Sequence, residues 1–300
     1  MEDDKINVED FRQAGKLASK IREESKSLIN PGEGLLDIAE TIEKMIYEEG
    51  AKPAFPLNVS VNSLSAHFTP EVNCTQTLGE EDVVKIDTGV SLNDAIGDTA
   101  YTIDLGGKYE TLVKASEEAL EAAIAAVKPG LKIGDLGGVI EEKIKSHGFK
   151  PITNLTGHKI STGLLHSGID IPNIKTEDPY ELQAGEVYAI EPFATTGSGF
   201  VSDLDQVEIF SLVSLSPVKM RQSRQILSFI IEQYGLLPFA ERWLNKKFNS
   251  RLTVGAALKE MLREQIIRAY PVLKDSGDGI VSQTEHTILV TEEGCEVLTK

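Results

Sequence analysis

The stretch Glu81–Leu105 reads E-D-V-V-K-I-D-T-G-V-S-L-N-D-A-I-G-D-T-A-Y-T-I-D-L. Two β-prone runs, Val83–Val90 and Thr99–Leu105, flank a polar turn, which is the pattern of a β-hairpin. Each run carries an acid in an awkward place: Asp87 closes an apolar run and Asp98 opens one. A turn centred between Leu92 and Asn93 sets Asp87 and Asp98 opposite one another, with Cβ atoms about 5 Å apart. Like charges held that close call for a cation between them or a proton on one of them. The alternative is two exposed strand-end aspartates that never meet, and the hairpin alone leaves both readings open.

Working outward, the chain shows the same plan twice. Asn7 is placed to cap a helix over Val8–Leu28, which Asn30-Pro31-Gly32 breaks. A second helix, Gly34–Glu49, puts Leu35, Ile38, Ile42 and Ile46 on one face and stops at Gly50. Residues 52–70 are extended, with Pro53, Pro56 and Pro70 excluding helix, and lead into the hairpin. From Tyr109 an alanine-rich helix, a Pro129-Gly130 break and a helix over Asp135–Ser146 follow, the last stopped by Gly148. An offset of 98 residues superposes Pro31-Gly32 on Pro129-Gly130, Ile42 on Ile140, Ile46 on Ile144 and Gly50 on Gly148. G-E-V-Y-A-I-E (185–191) resembles E-D-V-V-K-I-D (81–87) and lays Glu191 on Asp87. His166 falls within one position of His67. Matching breakers, glycine stops and acids favour a duplicated helix–helix–hairpin unit over chance similarity of amphipathic helices. Two such halves imply an α+β fold: a pseudo-two-fold arrangement with helices on one face of a curved, mostly antiparallel sheet and function at the open seam.

The symmetry breaks after Phe200. Helical patterns at 221–234, 238–248 and 254–269 interrupt the second half, which resumes with D-G-I-V-S-Q-T-E-H-T-I-L-V (278–290) around Glu285. The expectation is one catalytic domain over 1–300 with a helical subdomain, 206–275, inserted as a lid or wall.

Composition narrows the partners. A hydrophobic content of 41% and a charged content of 26% describe a soluble globular chain. A net charge of −17 argues against DNA or an anionic membrane surface, since either needs a basic face. The opening M-E-D-D-K-I-N lacks the apolar core of a signal peptide, and no run approaches the ~18 apolar residues of a membrane span. Cys74 and Cys295 are too few for a disulfide framework, which makes a reducing cytoplasm the default.

The residues with chemistry cluster at strand ends: Asp87, Asp98, Glu191 and Glu285, with His158 in N-L-T-G-H-K-I and His166 in L-L-H-S-G. Four carboxylates and an imidazole suit a two-metal site, because oxygen-rich sets favour harder divalent ions and carboxylates bridge them. His67 becomes a candidate through its pairing with His166. Asp104 reads as a turn residue, His147 as a helix C-terminal imidazole, and His286 as lying on the strand face opposite Glu285. Gly197-Ser198-Gly199 has no following helix, and no G-x-S-x-G occurs, so nucleotide binding and serine hydrolysis are unsupported.

These residues resemble the methionine aminopeptidases of the pita-bread fold shared with prolidase and creatinase. The carrying segments are F-P-L-N-V-S-V-N-S-L-S-A-H-F-T-P (55–70), K-I-D-T-G-V (85–90), G-D-T-A (97–100), N-L-T-G-H-K-I (154–160), L-L-H-S-G (164–168), G-E-V-Y-A-I-E-P-F (185–193) and Q-T-E-H-T-I-L-V (283–290). The helical insertion resembles that of the type II, archaeal-like members. The resemblance implies that Asp87 holds one metal ion, His158 and Glu191 the other, and that Asp98 and Glu285 bridge. It implies substrate-facing roles for His67 and His166, and a methionine pocket walled by Phe55 and Leu165. The implied activity is removal of the initiator methionine from nascent polypeptides with a small second residue. The attacking group would be a water or hydroxide shared by two divalent ions (cobalt, manganese, iron or zinc). Expected with it are a cytoplasmic monomer and docking at the ribosome. The rival readings are an X-Pro dipeptidase of the same fold and a non-catalytic binding relative.

Overall fold

The computed structural model of the chain describes residues 7–300. The opening 1–6, and with it the expectation of no signal peptide, lies outside the described residues. Helix α1 (Val8–Ser25) is capped by Asn7, whose side chain accepts the Glu9 amide, and a 3-10 turn over Lys26–Leu28 follows it. Helix α2 (Leu35–Glu48) buries Leu35, Ile38, Ile42 and Ile46. Strands β1 (Lys52–Pro53), β2 (Asn58–Val61) and β3 (Leu64–Ala66) lead to the hairpin β4 (Val83–Leu92) and β5 (Ala95–Asp104). The second half repeats the order with α3 (Glu110–Ala126), α4 (Ile133–Ser146), β6 (Lys150–Pro151), β7 (Thr156–Ile160), β8 (Asp170–Pro172), β9 (Val187–Ile190) and β10 (Phe193–Thr195). Strand β11 (Val201–Leu212) leads into α5 (Arg221–Gln233), β12 (Phe239–Ala240), α6 (Glu241–Phe248) and α7 (Arg251–Arg263), and the chain returns along β13 (Ile267–Asp275). β14 (Val281–Gln283), β15 (Glu285–Val290) and β16 (Cys295–Val297) complete it.

The main sheet runs β1-β4-β5-β15-β9-β7-β8, with β2 also on β4 and β16 on β15, and every pairing is antiparallel. Its centre lies between β5 and β15, and the halves repeat around that seam. β2 pairs β4 as β7 pairs β9. Gly50 and Gly148 end α2 and α4 at φ +78° and +82°, a left-handed conformation that glycine adopts without penalty.

Each half has its own apolar core. One joins α1 and α2 to β2 and β4 through Ile21, Ile42, Val59 and Ile86. The other joins α3 and α4 to β9 and β15 through Leu112, Ile140, Ile190 and Ile288. A third cluster, including Ile230, Phe239, Leu244 and Met261, belongs to the helical block.

Two sequence expectations need correcting here. The helix expected over 254–269 runs instead over Arg251–Arg263, because 267–275 is strand, and β13 there pairs with β11 along most of their lengths. The hairpin turn is centred between Asn93 and Asp94, both at positive φ (52° and 63°). That is the conformation a two-residue type I′ turn requires, and Asn and Asp tolerate it. Asp87 therefore faces Ala100, and Asp98 faces Gly89. The shift moves the partner by two residues, so both carboxylates remain on one face as diagonal neighbours rather than as an opposed pair.

Candidate active site

Strand register builds the site. Asp87 lies between Asn58 on β2 and Ala100 on β5, and Ala100 in turn pairs with Glu285 on β15. His286 pairs with Ile190, so the next step along that ladder sets Glu285 beside Glu191. Asp87, Ala100, Glu285 and Glu191 thus form a transverse row across the seam. Asp98 and His158 stand one pleat off it, His158 opposite Ala189. Ligand atoms of Asp98, His158 and Glu285 all lie within 4.8 Å of one another. His158 Nε2 stands 3.5 Å from Asp98 Oδ2 and 3.9 Å from Glu191 Oε1. Asp87 and Glu191 are joined through Gln283, whose Nε2 donates to Asp87 Oδ2 at 3.3 Å and to Glu191 Oε2 at 3.4 Å.

Gln283 carries no charge, and a search for acids and imidazoles passes over it. The duplication contains the signal that finds it: D-T-A-Y-T (98–102) repeats as Q-T-E-H-T (283–287). The hydrogen bonds obey the same relation. Thr287 Oγ1 accepts the Asp98 amide and donates to the Asp98 carbonyl. Thr102 Oγ1 accepts the Gln283 amide and donates to the Gln283 carbonyl. Gln283 is therefore the symmetry mate of Asp98, and Glu285 is the mate of Ala100.

The electrostatics of so many acids are severe. Burial, then Asp98, holds the Asp87 carboxyl well above the usual carboxylate range. Burial, then Asp87 and Asp98, does the same to Glu191. Glu285 is raised well above that range by burial, then by Asp98, Glu191 and Asp87. Asp98 is raised by burial against the pull of His158. Asp87 Oδ1 and Asp98 Oδ1 are buried with no hydrogen-bond partner. Buried acids pushed toward protonation, with oxygens unpaired beside one imidazole, form a donor set that a hard divalent cation fits.

Around this cluster opens a cavity of about 460 Å³. Phe55 and Leu165, 7% and 6% exposed, belong to one apolar cluster and form part of its wall. Phe55 packs where Gly89 has no side chain: a Cβ at Gly89 would stand 2.3 Å from Phe55 Cε1. His166 also lines the cavity, its ring 4.1 Å from that of His158, edge to face. Burial, then the neighbouring His158, pushes its pKa down to about 2. His67 sits at φ +63°, and its Nδ1 lies 3.1 Å from the Pro271 carbonyl, an acceptor that assigns the proton to Nδ1. Its ring meets Tyr270 edge to face at 5.4 Å. Tyr270, Pro271 and Arg268 come from β13, so the ribbon beside the helical block closes one side of the cavity.

The histidines set aside lie elsewhere. His147 caps α4, 3.0 Å from Glu118, and His286 pairs with Thr299 on the other face of the sheet. Asp104 accepts the Tyr109 amide at the start of α3.

A duplicated sheet with an acid-and-imidazole cluster under a partly apolar cavity suits metal-dependent chemistry, and the sequence assigns that chemistry to a class of peptidases. The chain belongs to metallopeptidase family M24, whose profile matches residues 9–292. It is 46% identical over 288 residues to a methionine aminopeptidase of Methanocaldococcus jannaschii, covering 96% of this chain and 97% of that one. The solved methionine aminopeptidase of Thermotoga maritima superposes with TM-score 0.70 at 26% identity, over 98% and 96% of the two chains. The solved structure of a thermophilic Arx1 superposes with TM-score 0.86 at 19% identity, over 97% of this chain and 90% of the other, and shares the fold.

Proposed function

We propose that this chain is a methionine aminopeptidase that removes the N-terminal methionine from polypeptides with a small second residue. The observation that carries the reading is the meeting of the acid–His158 cluster with the Phe55–Leu165 wall in one cavity. Near-full-length identity to methionine aminopeptidases supports it over an X-Pro dipeptidase. Asp87 would hold one divalent ion, His158 and Glu191 a second, and Asp98 and Glu285 both. When bound, such ions supply Lewis acidity and acidify a water toward neutral pH.

The chain's own residues do the rest. Glu191 accepts the proton of the attacking water and returns it to the leaving amine. His166, kept neutral by burial, donates a hydrogen bond to the oxyanion that develops on the scissile carbonyl. His67 has committed Nδ1–H to Pro271, so Nε2 offers a lone pair to the scissile N–H. Phe55 and Leu165 receive an unbranched, polarizable thioether. We read the substrates as nascent chains met in the cytoplasm and at the ribosome, the enzyme as a monomer, and its ions as cobalt, manganese, iron or zinc.

The test is release of methionine from Met-Ala-Ser, with added divalent metal and with chelator, beside hydrolysis of Ala-Pro. Metal-dependent cleavage of the first alone is expected. Preferred cleavage of Ala-Pro would transfer the assignment to the dipeptidases, and none of either would leave a non-catalytic protein.

A further inference from the structure

Outside the acid cluster, an ion pair is buried between the helical block and the first half. Glu43 on α2 and Arg242 on α6 are 5% and 1% exposed. Arg242 Nη1 donates to Glu43 Oε2 at 2.7 Å and Nη2 to Oε1, a bidentate fork that fixes direction as well as distance. Two further bonds lead from this pair toward the cavity. The Leu57 amide donates to Glu43 Oε1 at 3.1 Å, and Arg242 Nη2 donates to Thr69 Oγ1 at 3.1 Å. Leu57 is two residues from Phe55, and Thr69 is two residues from His67. The indole of Trp243 completes the set, donating to Glu43 Oε2 at 2.9 Å.

The segments that carry Phe55 and His67 are therefore both tied to one carboxylate–guanidinium unit. A buried ion pair is a weak source of net stability compared with apolar packing, and the block already has an apolar core of its own. Orientation is what the fork adds. It matters most at His67, whose non-glycine left-handed backbone persists only if its surroundings over-determine it.

We propose that Glu43 and Arg242 are positioning residues for the substrate-facing segment 55–69, through which the inserted helices set the affinity for the substrate's first residue. The proposal rests on the reading of this cavity as the substrate site.

The test uses the full-length, metal-loaded enzyme with Arg242→Lys, which keeps the charge and loses the fork, and Thr69→Val, which removes one bond and leaves the ion pair. KM for Met-Ala-Ser is expected to rise about tenfold in the first and about threefold in the second, and kcat to fall to the extent that His67 leaves the scissile N–H. Bound metal should be unchanged. Trp243 is the only tryptophan, so its emission reports whether α6 is still seated. A seated α6 with unchanged KM in Thr69→Val overturns the proposal, as does activity that falls only with the folded fraction. A readout independent of turnover is the His67 ring resonance, which should move in both variants while His147 stays fixed. If the parent releases no methionine but His67 moves, the functional reading fails and the positioning stands. If His67 is unmoved in both variants, the positioning fails whatever the activity.

Discussion

Asp98 is the residue on which the site turns: its ligand atom lies within 4.8 Å of those of both His158 and Glu285, and its charge raises the pKa of its diagonal neighbour Asp87. Asp98→Asn keeps the shape and removes the charge. Turnover of Met-Ala-Ser should fall by at least about a thousandfold while circular dichroism is unchanged; retained turnover would remove Asp98 from the site. His67→Ala removes a group that we propose touches substrate rather than metal. Turnover should fall about a hundredfold with the bound metal unaltered, so a loss of metal would place His67 among the ligands instead. Gln283→Leu acts between these two. It deletes the donors that aim Asp87 and Glu191, and metal affinity measured by competition with a chelator should drop about 10- to 100-fold. Unchanged affinity would make the amide a bystander. The acids and His158 were legible because a charged residue at a strand end is conspicuous. Gln283 was not, because its role comes from where the symmetry sets it, opposite Asp98 in the other half.

At the scale of the element, the hairpin shows what pattern reading can and cannot fix. The β-prone runs identified β4 and β5, and pairing them across the turn set both acids on one face, a parity that survives a two-residue change of partner. It did not locate the turn. That depended on Asn93 and Asp94 both entering the left-handed region, a local backbone choice that hydrophobic pattern does not encode. Gly89 was equally silent in the sequence: it faces Asp98 across the ladder, and its missing side chain is the space Phe55 occupies. Gly89→Ala should expel Phe55 from the pocket wall at a cost of about 1–3 kcal/mol in stability. KM for Met-Ala-Ser should rise with bound metal unchanged, and an unaltered KM would show that Phe55 does not receive methionine. The helical block was legible as an interruption, but its flanking strands were not. Residues 267–269 carry an apolar pattern that fits helix or strand, and only pairing with β11 decides it.

The whole molecule brings acids from two halves to one seam, so its stability should depend on pH in a way neither half would show. Asp87, Glu191 and Glu285 have folded-state pKa values raised well above the carboxylate range by burial and mutual repulsion. In the unfolded chain they return to about 4. Without metal, the folded state therefore holds more protons than the unfolded state between about pH 4 and the raised values. The resulting stability is full below about pH 4 and is lost as pH rises through the folded pKa values. Bound divalent ions hold the same carboxylates ionised, which reverses the sign: stability is then present above about pH 4 and lost as pH falls. The net charge of −17 shifts both forms alike as acid is added, so the informative quantity is their difference. The melting temperature in chelator should climb from pH 8 to 5.5 relative to that with manganese, and the gap between the two should narrow. Asp98→Asn, with one fewer repelling charge, should raise the chelated protein's melting temperature at pH 8 and flatten its pH dependence. Parallel curves for the chelated and loaded protein would mean that the acids do not share a site.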